Sequence, residues 1–181
     1  MDTMLIMNYL CIPVRVNKNT PMKTFEIVPF YSKYTSSFYD LNIEWLTTYF
    51  YVEPYDEEVL SKPKHYIIDK GGFIFFALLN NKVVGTVALM PTDKEGRFEL
   101  TKMAVSPEYR GMKIGQKLMQ HCIEFSKNKG FNTLLLYSNR RLEDAIYIYK
   151  KYGFIEINLE ANSPYKRGDI KMQLSLQQKL S

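Results

Sequence analysis

Residues 73–130 change periodicity once, and that change constrains the fold more than any other feature of the chain. Before Ser106-Pro107 the apolar residues come in strand-length runs; after it they recur every three or four residues. Phe73–Leu79 is an unbroken apolar run. It suits a buried strand and falls far short of the roughly 20 residues that a membrane helix needs. Asn80-Asn81-Lys82 predicts a tight reversal into a strand over Val83–Met90. Pro91–Gly96 is the next turn, and Arg97–Val105 a third antiparallel strand. Beyond Pro107, Ile114, Leu118, Cys122 and Phe125 share one face of a helix that ends at Gly130.

The flanks extend this pattern. Phe25 and Ile27 predict an edge strand ending near Pro29, and Tyr34–Phe50 carries Phe38, Leu41, Trp45, Leu46 and Tyr49 on a helical stripe. Pro54 followed by Asp56-Glu57-Glu58 reads as the first turn of a second, short helix, with acids at the positive end of its dipole. Phe131–Tyr137 is a strand, and Leu142, Ala145, Ile146 and Tyr149 line a helix that Gly153 stops. Strands over Phe154–Ile157 and Ile170–Leu176 complete the order β α α β β β α β α β β, a mixed α/β fold.

At 181 residues the length is that of one domain, assigned to 22–181. Residues 1–21 read as a loosely packed N-terminal extension ending in the turn-forming Asn17–Pro21, with Met22 as an alternative start. The apolar N-terminus has no basic flank and no small-residue cleavage site, so a signal peptide is not expected. Two cysteines, Cys11 and Cys122, make no disulfide framework and no zinc spacing. The expectation is therefore a reducing, cytoplasmic setting with neither metal nor membrane. Lys and Arg number 24 against 19 Asp and Glu, for a net charge of +5 spread along the chain rather than gathered in a block. That excess suits a polyanionic small-molecule ligand as well as nucleic acid. The chain lacks a helix-turn-helix turn or an aromatic RNA-binding strand, which ranks nucleic acid last.

The chemistry-bearing stretch is the passage from strand to helix, Glu99-Leu-Thr-Lys-Met-Ala-Val-Ser-Pro-Glu-Tyr-Arg-Gly-Met-Lys-Ile-Gly115. A helix start presents unpaired amides and a positive dipole end, together a seat for phosphate. Gly111 and Gly115 let a polyanion approach the backbone, and Arg110 adds a charge-assisted donor. Counting from Gly111, a P-loop fails at Gln116 and Leu118, and no dinucleotide Gly-x-Gly-x-x-Gly is present.

What remains resembles the GNAT superfamily of acyl-CoA N-acyltransferases, whose Arg/Gln-x-x-Gly-x-Gly/Ala signature is matched by Arg110 and Gly115. Lys113 stands where the first motif glycine belongs, and a right-handed backbone is expected there. Met103-Ala104-Val105 before the motif, Ser138-Asn139 after the next strand, and Ala145, Tyr149 and Gly153-Phe154 also match in order. The resemblance implies a mostly antiparallel twisted sheet flanked by helices, with its fourth and fifth strands splayed around the pantetheine arm of acetyl-CoA as cosubstrate. It implies that the backbone of Met103 and Val105, beside Ala104, pairs with that arm. It further implies that Arg110, Gly111, Met112, Lys113, Ile114 and Gly115 hold the pyrophosphate, and that Asn139 contacts the pantetheine or orders the next helix. Tyr149 matches the family's general acid, although its place on a stripe with Ile146 also fits a core residue. Glu99 stands where one branch of the family has its base, although a cross-strand ion pair accounts for it equally.

An acceptor amine attacking directly in a ternary complex is the implied route. Tyr165 and Arg167, two apart on a loop, are candidates to clamp a carboxylate, which suits a small amine or an amino-acid-like acceptor. Trp45, with Tyr49 and Tyr51, would border the acceptor. A protein or peptide acceptor, and a CoA-binding sensor without turnover, are the alternatives. A monomer or homodimer is expected.

Overall fold

The computed structural model describes residues 24–161, 163 and 165–177; the expected extension over 1–21 lies outside them. Seven strands form a single sheet: β1 (Phe25–Pro29), β2 (Phe73–Leu79), β3 (Lys82–Pro91), β4 (Arg97–Val105), β5 (Thr133–Ser138), β6 (Ile155–Ile157) and β7 (Ile170–Ser175). Their spatial order is β1-β2-β3-β4-β5-β7-β6, and only β4 and β5 run parallel. The helices are α1 (Thr35–Tyr49), α2 (Pro54–Ser61), α3 (Pro63–Tyr66), α4 (Ile114–Asn128) and α5 (Glu143–Lys151). This is the expected mixed, mostly antiparallel fold. The one-turn α3, opened by Pro63, is an addition that the apolar pattern does not announce.

The sheet is the middle layer of three. The run Phe73–Leu79 is apolar throughout because both of its faces are covered. Phe75 and Ala77 join a core with Leu118, Met119 and Cys122 of α4, while Ile74, Phe76 and Leu78 join a second core with Phe38 and Leu46 of α1 and Val59 and Leu60 of α2. Fully burying side chains such as Phe38, Phe76 and Leu118 contributes about 1.5–3 kcal/mol each. Asn80 and Asn81, both with positive φ, make the predicted reversal between β2 and β3.

Two features open the sheet at its centre. β4 and β5 pair only through Arg97–Thr133, Phe98–Leu134 and Glu99–Leu135; beyond these the strands part. β4 also carries a bulge, because Ala88 opposes Thr101 while Thr86 opposes Ala104. One extra residue reverses the faces of a strand. Phe98 and Leu100 meet the α4-side core, and after the bulge Met103 and Val105 meet it instead. Lys102, at the bulge, has a left-handed backbone with φ of 50° and sends its side chain to α2.

Candidate active site

The parted strands enclose a cleft of about 760 Å³, within the range of small-molecule sites. Its walls are β4 from Leu100 to Val105, β5 and its exit from Leu136 to Asn139, the C-terminal half of α1, and α5. At one end it meets the start of α4, where Arg110, Gly111, Lys113, Ile114 and Gly115 line its continuation together with Tyr149. Of the six residues from Arg110 to Gly115, Met112 lies off the wall and is exposed.

Among the described residues no side chain caps α4. Its first amides therefore stay available to an anion. A Cβ built on Gly115 would meet only Val105 Cγ2, at 3.8 Å, and one on Gly111 would meet nothing within 4 Å. Gly111, at φ of 80°, has a backbone that favours glycine, whereas at Gly115 neither backbone nor packing requires a small residue, which leaves room for an anion on the amides there. Lys113 differs from expectation. It takes φ of 59°, a left-handed backbone, rather than a right-handed one. The glycine of the family motif suits this position because glycine adopts positive φ without Cβ strain. Arg110 pairs with Glu44 of α1, donates its Nε–H to the Val105 carbonyl at 3.2 Å, and stands 5.6 Å from the Tyr49 ring centroid.

Tyr149 is on α5, at the junction of the two parts of the cleft. Burial pushes its phenol up to about 12, with the Ser138 side chain pulling the other way. The group is therefore protonated at neutral pH and can donate. Asn139, which lines the cleft, accepts the Arg141 amide at 2.9 Å within the turn into α5 and donates to the Arg167 carbonyl at 2.7 Å, tying that turn to the loop before β7.

Glu99 does not line the cleft. Its carboxylate accepts the Tyr165 hydroxyl at 2.9 Å, and Tyr165, which does line the cleft, lies between Glu99 and the open space. The same hydroxyl is 3.3 Å from Thr101 Oγ1. Burial raises the Glu99 carboxyl above its usual value, against the pull of Lys102 and the two hydroxyls.

Arg167 is a correction. Its guanidinium is engaged from within by two carboxylates: Nη1–H donates to Glu53 at 3.0 Å and to Asp56 at 2.6 Å, and Nη2–H to Asp56 at 3.1 Å. The expected clamp on a substrate carboxylate is thus occupied by two side chains of α2 and its cap. Lys102, which no sequence motif marks, completes the cluster with its Nζ 2.7 Å from Asp56 Oδ1. Asp56 is fully buried; burial raises its carboxyl, but Lys102 and Arg167 outweigh that and hold it below the ordinary value. Asp56 also accepts the Glu53 amide at 3.2 Å in a capping box, so the helix-start reading of these acids accounts for only the smaller part of their contacts.

Trp45 lines the cleft beside Tyr49 and Phe50, each 5.5 Å away between ring centroids. Among the described residues no helix is long and apolar enough to cross a membrane.

A sequence profile described as the Acetyltransferase (GNAT) family matches residues 36–154. A probable N-acetyltransferase camello of Xenopus tropicalis is 31% identical over 105 residues, 58% of this chain and 48% of that protein. The chain spans about half the length of the curated relatives it matches first. Among solved structures, a GNAT-family acetyltransferase of Staphylococcus aureus Mu50 superimposes with a TM-score of 0.76 at 23% identity, covering 85% of this chain and all of that one. The PaiA N-acetyltransferase of Thermoplasma acidophilum, crystallised with coenzyme A, gives 0.66 at 20% identity over 84% of this chain and 99% of the other. Parted central strands, an uncapped helix start and a family profile spanning both identify the chain as a member of the GNAT acetyltransferase family.

Proposed function

We propose that the chain is an N-acetyltransferase that transfers acetyl from acetyl-CoA to the amine of a small molecule, by direct attack in a ternary complex. The observation that carries this reading is the uncapped start of α4 opening into the gap between β4 and β5, with Tyr149 at the junction. Coenzyme A in the Thermoplasma structure supports the choice of donor.

Bound acetyl-CoA would supply the thioester. The amides at Gly111–Gly115 hold its diphosphate, and the unpaired edge of β4 at Met103–Val105 offers backbone groups to its arm. Tyr149 Oη keeps a proton for the departing thiolate. Tyr165 takes the proton of the attacking amine on its hydroxyl oxygen as it passes its own hydroxyl proton to the Glu99 carboxylate, and amides near Val105 meet the oxyanion. A cytoplasmic setting is proposed with this activity. Thiol release from acetyl-CoA over a panel of small amines tests the proposal. Release above the amine-free rate is expected. CoA binding with no release from any amine points to a sensor, and release with peptides alone to a protein acceptor.

A further inference from the structure

The walls of the cleft beyond Tyr149 differ sharply from its floor. One wall is Trp45, Leu46, Tyr49 and Phe50 from the end of α1, with Tyr49 41% exposed at the mouth. Tyr165 and Tyr137 face across from the other side, 5.6 Å apart between centroids. The floor is charged, and its two cations are paired. Asp56 and Glu53 balance Lys102 and Arg167, and Glu99 adds a further carboxyl on the Tyr165 hydroxyl. Of the other lining cations, Arg110 pairs with Glu44 at the end held by α4, and Arg141, in the turn into α5, is exposed. A carboxylate arriving beside Tyr165 would find Lys102 and Arg167 already paired and the Glu99 carboxyl behind the hydroxyl, an unfavourable desolvation.

A neutral amine meets no such penalty. The Tyr165 ring is already taken by Lys102 Nζ at 4.8 Å and by the Arg167 guanidinium at 5.2 Å, but its hydroxyl oxygen, held on Glu99, can accept from an amine N–H. From the paired floor and the aromatic wall we infer that the acceptor is an amine carried on an aromatic or similarly flat apolar body, with no carboxylate beside the amine. This rests on the transferase reading and narrows its acceptor. The apolar body lies against Trp45, Tyr49 and Phe50, and the amine turns toward Tyr165. A free amino acid and an aliphatic polycation are both disfavoured, the first by its carboxylate and the second by having nothing to lay on the wall.

Trp45 is the only tryptophan of the chain, so its fluorescence reports on this wall. The full chain, saturated with coenzyme A, is titrated with 2-phenylethylamine, phenylalanine and spermidine; the same three amines are then assayed with acetyl-CoA for thiol release. 2-Phenylethylamine is expected to saturate the signal with a dissociation constant at least tenfold below the other two, and to lead in kcat/KM by a similar factor. A lead for phenylalanine or spermidine in either measurement overturns the inference, as does the lack of a saturable change with 2-phenylethylamine. Binding in the expected order without thiol release keeps the acceptor class and removes the transferase reading. Thiol release led by spermidine or phenylalanine does the reverse.

Discussion

The acid role proposed for Tyr149 depends on its position at the junction of the two parts of the cleft, since a phenol is protonated near neutral pH whether buried or in water. Burial pushes its phenol up to about 12, which leaves it a hydrogen-bond donor and a weak acid throughout the neutral range. Tyr149→Phe is expected to lower kcat about 100-fold while leaving the dissociation constant of acetyl-CoA within twofold, measured by thiol release and calorimetry. A parallel fall in both would return the residue to the core role that its stripe with Ile146 also allows. Lys113 poses a different question at the same scale. It is exposed and left-handed, so its side chain strains the backbone without a compensating buried contact. Lys113→Gly should stabilise the chain by about 0.5–1 kcal/mol, net of the extra freedom glycine brings to the unfolded state. Lys113→Ala should not. Equal melting temperatures for the two variants would show that the strain has no consequence.

Among the elements, α4 supports the strongest prediction because its start is shaped by what is missing from it. A side chain at Gly115 has room against the protein but none against a diphosphate on the same amides. Gly115→Glu should therefore fold with an unchanged circular dichroism spectrum and bind coenzyme A at least 100-fold more weakly. An unchanged dissociation constant would remove the phosphate seat. This helix and its motif were legible in the sequence because apolar spacing, glycines and the strand before it are all local signals. The same holds for β2, for the Asn80-Asn81 turn, and for the acids that open α2. What escaped was set by contacts between distant segments. The partners of Arg167 lie 111 and 114 residues away in the chain, so two residues on a loop looked available when they were not. Lys102 had a signal that went unused: the apolar spacing along β4 runs Phe98, Leu100, Met103, Val105, and its single step of three marks the bulge. The left-handed backbone of Lys113 is hidden differently, since lysine is not a residue from which positive φ is expected.

Across the whole molecule, the Asp56 cluster ties α2 to the bulge of β4 and to the loop before β7, joining the two sides of the cleft below its aromatic wall. Buried ion clusters are seldom a large net gain over apolar packing, but removing one member leaves the others buried and unmatched. Asp56→Ala strands Lys102 and one side of Arg167 and should cost about 3–5 kcal/mol, read as a lowered urea midpoint. The pH dependence has a definite sign. The folded Asp56 carboxyl sits below its ordinary value, so as pH falls the unfolded chain takes up this proton first. Stabilisation from the cluster is complete above the unfolded value of about 4 and is lost as pH drops through the lower folded value. Asp56→Asn, which has no proton to take up, should therefore be the less stable protein at pH 7 and should lose less stability than wild type on acidification. Urea titrations of both proteins from pH 7 to pH 3 would show the two curves converging. Parallel curves would mean that Asp56 is matched equally well in the unfolded chain, and that the cluster does not hold the two sides of the cleft together.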